Sequence, residues 1–185
     1  LIKHKMRFSP ESSLLIVIDV QEKLFATMYE QERIVENMIK VVGGAKILGV
    51  PIIWTEQYPK GLGPTISPLK AALNGNICHE KISFSCLDDG DIKQAVKEAN
   101  AQDILLCGIE AHVCVYQTAA DLMEQDNRVH LITDAVMSRH KSKYDIALRK
   151  MEQMGVHLTS VEMALFELQR VANGETFKPI AALIK

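Results

Sequence analysis

"LLIVIDV", residues 14–20, is an unbroken apolar run interrupted only by its aspartate, Asp19. It is too short for a helix and rich in β-branched residues, so it predicts a strand covered on both faces. Such a strand belongs in a parallel sheet with helices packed on either side.

Working outward, the same grammar repeats. From Glu32 to Leu48 apolar residues recur at helical spacing, and Gly49 stops the run. "VPIIWT" at 50–55 predicts a second strand. "EQYPKGLGPTISP" at 56–68 is crowded with Gly and Pro and predicts a loop. A weaker strand lies near "ICHEKIS" at 77–83. "DDGDIKQAVKEAN" at 88–100 predicts a helix whose acidic start suits the macrodipole. "DILLCG" at 103–108 is another buried strand, followed by a helix from about Cys114 to Gln125. "RVHLITDA" at 128–135, "SKYDIALRKMEQM" at 142–154, "VHLTS" at 156–160 and "VEMALFELQRV" at 161–171 add strand, helix, strand and helix. The alternation predicts an α/β fold over 1–185, a single domain with a parallel sheet and helices on both faces.

The totals agree. The chain has 185 residues, 48% hydrophobic and 24% charged, enough apolar material for a large core. A net charge of −2 gives no electrostatic case for nucleic acid or an anionic membrane surface. The apolar runs are too short to span a bilayer, and "LIKHKMRFSPESS" lacks the apolar stretch of a signal peptide. Four cysteines in a chain of this length argue against a disulfide framework and for a reducing, cytoplasmic setting.

Active sites of parallel sheets lie beyond the carboxyl ends of the strands. The residues to examine are therefore Asp19, Thr55, Glu56, Lys81, the stretch from Gly108 to Cys114, and Asp134. "LLCGIEAHVCV" at 105–115 places Cys114 where a strand passes into a helix. A helix start offers unpaired N–H groups and partial positive charge, which favour a thiolate and could hold an oxyanion. Most free cysteines simply pack, and Cys78, Cys86 and Cys107 fit that description. Cys114 stands apart because Asp19 and Lys81 end neighbouring strands. A lysine in such a place is more often a solvated surface charge, and an aspartate more often a cap. Together, however, they set a carboxylate, an ammonium and a thiol at one sheet edge.

These residues carry a resemblance. "VIDVQ" with Asp19, "EKISFS" with Lys81 and "GIEAHVCVYQTA" with Cys114 resemble the three motifs of the isochorismatase-like cysteine hydrolases. The order and separations match over nearly the whole chain. "TEQYPKGLGPT" further resembles the subgroup of isochorismatase domain-containing proteins. The resemblance implies a Rossmann-like six-stranded parallel sheet, an Asp19–Lys81–Cys114 triad, and a homo-oligomer, dimer or larger. It also implies a non-proline cis peptide at Ile109–Glu110, with the backbone N–H groups of Glu110 and Cys114 as the oxyanion hole. The implied chemistry is cleavage of a C–N bond in a small molecule through a thioester.

The chain departs from the nicotinamidase branch of that family. That branch holds a metal through an Asp-x-His…His arrangement after the second strand, where this chain reads "WTEQYPKG". His4, His79, His112, His130, His140 and His157 lack ligand spacing, so no metal and no cofactor are expected, and nicotinamide is expected to be a poor substrate. "GLGPT" lacks the ending of a phosphate loop, and no dinucleotide fingerprint follows a strand. Phe25, Trp54, Gln57, Tyr58, His112 and Tyr116 lie near strand ends and are candidates to line a substrate pocket. The apolar residues of "VEMALFELQRV" and "IAALIK" are candidates for self-association. Two rivals stand beside the hydrolase: a redox sensor using Cys114, and an interaction protein with a vestigial site.

Overall fold

The computed structural model describes residues 7–185. His4 and the rest of residues 1–6 lie outside the described residues. Six strands form one parallel sheet in the order β3-β2-β1-β4-β5-β6. They are β1 (Ser13–Ile18), β2 (Ile52–Gln57), β3 (Cys78–Lys81), β4 (Asp103–Ile109), β5 (Arg128–Met137) and β6 (His157–Thr159). The helices are α1 (Glu22–Phe25), α2 (Gln31–Leu48), α3 (Pro59–Leu62), α4 (Ser67–Ala72), α5 (Gly90–Ala99), α6 (Tyr116–Glu124), α7 (Lys141–Gln153), α8 (Val161–Gln169) and α9 (Phe177–Ile184).

All six residues of β1 are buried, as a strand covered on both faces requires. Side chains alternate across it. Leu15 and Val17 join a core layer with Ile34, Met38 and Val42 of α2, Leu69 of α4, Leu165 of α8 and Ile180 of α9. Leu14, Ile16 and Ile18 join the opposite layer with Ile92 of α5, Ala119 and Leu122 of α6, and Met151 of α7. Among the described residues, no helix is long and apolar enough to cross a membrane.

The sequence predicts an irregular stretch at 56–68. The structure winds α3 and the start of α4 within it, each with a proline in its first turn, where the missing N–H costs nothing. "IAALIK" forms part of α9, and its Ile180 is buried against α2 and α8. That apolar stretch is therefore satisfied within the chain.

The strands' carboxyl ends are shaped by two local features. Gly108 has φ of +125°, and a Cβ there would stand 2.2 Å from the Ile18 carbonyl oxygen. Only glycine lets β4 pass so close to the end of β1. One residue further on, Asp19 takes φ of +51°, which turns the chain out of the sheet. Its backbone N–H donates to the Thr55 carbonyl at 3.1 Å, keeping β1 and β2 side by side to their last residues.

Candidate active site

Asp19, Lys81 and Cys114 meet at this edge. The Lys81 ammonium donates to Asp19 Oδ2 at 2.6 Å, and both side chains are fully buried. Lys81 also donates to the Ser83 and Phe84 carbonyls at 3.0 and 3.1 Å, so the loop after β3 wraps its own lysine. Asp19 Oδ1 accepts the Thr55 hydroxyl at 2.6 Å. Cys114 is 3% exposed, and its thiol lies within reach of the Asp19 and Lys81 charges. The structure thus buries a lysine that its place in the sequence leaves as a candidate surface charge.

Electrostatics follow from that burial. Desolvation opposes the Lys81 charge, but the Asp19 carboxylate outweighs it and holds the ammonium above its ordinary range. Burial pushes the Cys114 thiol up, and the Asp19 charge beside it pushes the same way. Lys81 pulls down without reversing the direction. A helix start and Lys81 favour a thiolate and the Asp19 charge opposes one; burial beside Asp19 tips the balance toward the protonated thiol. Cys114 does not sit on an open helix end. It lies inside a π-turn, Ala111–Val115, that leads into α6.

The peptide Ile109–Glu110 is cis. The Glu110 carbonyl accepts from the N–H groups of Val113 and Val115 at 3.0 and 3.3 Å, which fixes the turn carrying Cys114. Cys114 and Glu110 border a cavity of about 330 Å³. Leu24, Leu62, Phe84 and Val113 make its walls apolar, and Gln57 and Arg139 add polar groups. Arg139 pairs with the buried Glu110 carboxylate at 2.6 Å.

Of the six residues predicted for the pocket, Gln57 lines this cavity. Tyr58 borders a neighbouring one of about 350 Å³ together with Lys81. His112 and Tyr116 border a third with Lys143, Ile146 and Lys150. Trp54 lies in the α2-side core, because strand alternation turns it away from the face that Ile53 and Cys114 share. Phe25 packs against the same α2-side core. Leu24, Leu62, Phe84, Val113 and Arg139 are cavity residues that the sequence reading did not find. They come from loops and short turns, where no periodicity marks which side chain faces inward. The other flagged residues act as supports. Glu56 accepts the Thr65 N–H at 2.6 Å, and Asp134 accepts the Val161 N–H at the start of α8. Among the described residues, no group of three or more His, Cys, Asp and Glu side chains is arranged to hold a metal ion.

Comparison with known proteins settles the kinship. The profile of the isochorismatase domain matches residues 13–163. The chain belongs to the isochorismatase domain family. Isochorismatase domain-containing protein 2 of Danio rerio is 38% identical over 178 residues, covering 96% of this chain and 89% of that protein. The solved structure of the MAR1 ribonuclease from Caenorhabditis elegans superimposes with a TM-score of 0.91 at 37% identity, covering 96% of this chain and 92% of that one. The ycaC gene product of Escherichia coli, described as an octameric hydrolase of unknown specificity, shares the fold. Its TM-score is 0.92 at 23% identity, with 98% of this chain and 91% of that one covered. Membership in the family supports a hydrolase of that family.

Proposed function

We propose that the protein is a cysteine hydrolase that cleaves an amide-type C–N bond in a small molecule through a thioester on Cys114. The observation that carries this reading is the buried Asp19 carboxylate, bonded to the Lys81 ammonium at 2.6 Å and set beside the Cys114 thiol.

With the thiol neutral, the buried Asp19–Lys81 pair has no net charge. When Asp19 takes the thiol proton, Asp19 becomes neutral and the thiolate becomes the partner of Lys81. The net charge of the cluster stays at zero through the step, so no uncompensated charge is created in a dry site. The thiolate attacks the substrate carbonyl, and the backbone N–H groups of Glu110 and Cys114 hold the oxyanion. Asp19 then gives its proton to the departing amine as the C–N bond breaks. Water, deprotonated by Asp19, cleaves the thioester, and the proton returns to sulfur.

The cavity supports a small, uncharged acyl group with an apolar face. Its one guanidinium among the lining residues, Arg139, is already paired with Glu110. The name of the Caenorhabditis elegans relative raises RNA as a substrate, but phosphate recognition calls for unpaired cations. A redox sensor needs an exposed, low-pKa thiol, whereas Cys114 is buried and its thiol is held up. Four cysteines, all free, support a cytoplasmic setting. Self-association is supported by Met163 and Phe166 of α8 and by Val171, all exposed. Sedimentation showing monomer alone at micromolar concentration would count against it.

The test of the hydrolase is a panel of small neutral amides read by mass spectrometry. A slow substrate should leave its acyl group on the peptide that contains Cys114. Turnover of no amide, with no adduct on Cys114, would overturn the reading.

A further inference from the structure

We propose that Thr55 is a positioning residue that fixes and tunes Asp19, an inference that rests on Asp19 being the base for Cys114. Thr55 is 1% exposed and lies on β2 opposite Ile18, the residue before Asp19. Its hydroxyl donates to Asp19 Oδ1 at 2.6 Å, while Lys81 donates to Oδ2 at 2.6 Å. Each carboxylate oxygen therefore has its own donor on a different strand, and the carboxylate plane cannot rotate without losing one.

Thr55 is itself held: its backbone carbonyl accepts the Asp19 N–H at 3.1 Å. The Cys86 thiol lies beside Thr55 and Thr118. The Cys86 backbone N–H donates to Thr118 Oγ1 at 3.0 Å. Cys86 is fully buried, and burial pushes its thiol up to about 11, so it keeps its proton. Thr118 stands four residues after Cys114, so it lies one helical turn beyond the nucleophile. Cys86 therefore ties the loop that follows Lys81 to the helix that follows Cys114, beside Thr55.

The titratable groups facing Asp19 are Lys81 from β3, Cys114 from the π-turn and Cys86 from the turn 86–88, with Cys78 farther off. Thr55 is a donor to Asp19 that does not titrate, so its loss changes the hold on Asp19 without changing any charge. Val in its place keeps the shape and removes the donor.

The experiment is saturation kinetics of Cys114 alkylation by iodoacetamide, followed by peptide mass. It needs no substrate, so it separates this inference from the hydrolase reading. An amide panel that fails while alkylation behaves as expected would sink the hydrolysis alone. Thr55→Val should lower the limiting alkylation rate about tenfold, the scale of one hydrogen bond to a charged group, and leave half-saturation unchanged. Thr55→Ser, which returns the hydroxyl, should recover most of the rate. In an Asp19→Asn background, Thr55→Val should cause no further loss, because its effect passes through the carboxylate. Thr55→Ala gives the same comparison if the valine variant does not fold. A rate unchanged by loss of the hydroxyl, or a loss that simply adds to that of Asp19→Asn, would overturn the proposal.

Discussion

Arg139 closes on Glu110 through three hydrogen bonds. Its backbone N–H and Nε both donate to Oε2 at 3.1 Å, and Nη2 donates to Oε1 at 2.6 Å. The Glu110 side chain is 4% exposed and that of Arg139 is 52% exposed. A buried carboxylate that borders the cavity is thus neutralised by a residue that is itself half in water.

Arg139→Ala should therefore destabilise the fold by about 2 kcal/mol at pH 7, since a buried acceptor loses charged partners. Burial works against the Glu110 charge, but Arg139 overrides it and holds the carboxyl below its ordinary range. A lowered folded-state value stabilises above the unfolded value of about 4.3 and is lost as pH falls through the folded value. The gap between wild type and variant should be full at neutral pH and shrink below about pH 4. Urea unfolding at pH 7 and pH 3.5 checks this; a gap that does not change with pH would show that Arg139 acts by packing alone.

Lys81→Met should be more damaging. It strips the counter-charge from Asp19, which is fully buried, and breaking a buried pair costs about 3–5 kcal/mol. Asp19→Asn together with Lys81→Met should recover part of that loss, because no charge is then stranded. A double variant no more stable than Lys81→Met would argue that the pair's charges do not set the cost.

Much of this arrangement is legible in the sequence. β1 announces itself because six consecutive buried positions leave an apolar run, and Asp19 stands out for ending it. Cys114 is found because the strand-to-helix turn is short and its neighbours are ionisable. The burial of Lys81 is not legible, since it depends on the Ser83 and Phe84 carbonyls folding back over the ammonium. The protonated state of Cys114 is likewise hidden. Helix position favours one answer and burial beside Asp19 favours the other, and only the packed structure says how deep the sulfur lies. Trp54 misleads because proximity to a strand end does not say which face a side chain takes.

Stability should fall on the alkaline side. Burial raises Cys86 to about 11 and Cys107 to about 12, and raises Cys114 as well. A raised folded-state value means the contribution is full below the unfolded value of about 8.5 and is lost as pH climbs through the folded values. Between about pH 8.5 and 11, each buried thiol should remove up to about 1.4 kcal/mol per pH unit. Cys107→Ala, within the core and away from the cavity, should make the slope shallower by one thiol's share, whatever its absolute stability. An unchanged slope would show that Cys107 does not stay protonated in the fold.

Turnover should survive prolonged chelation. At the end of β2 the chain offers Glu56 and Gln57, and Glu56 is occupied with the Thr65 N–H. A carboxylate so engaged, with no histidine beside it, is a poor ligand for a transition metal. Loss of activity on chelation, with recovery on adding zinc or iron, would overturn this.

The sharpest test is how losses combine across Asp19, Lys81 and Cys114. Cys114→Ala should abolish hydrolysis, because the covalent bond has no other sulfur at the cavity to form on. Asp19→Asn should cost nearly as much, since it keeps the shape and removes the base. Lys81→Ala should be severe in rate as well as in stability, so rates must be normalised to the folded fraction. Lys81→Arg should retain some activity, because the cation that would face the thiolate survives. If one proton moves among three groups that act as a unit, pairs of these substitutions should cost little more than the worse member alone. Multiplying losses would mean that the groups act separately. Full hydrolysis by Cys114→Ala, with a wild-type unfolding midpoint, would remove the thioester and leave an interaction protein with a vestigial site as the better reading.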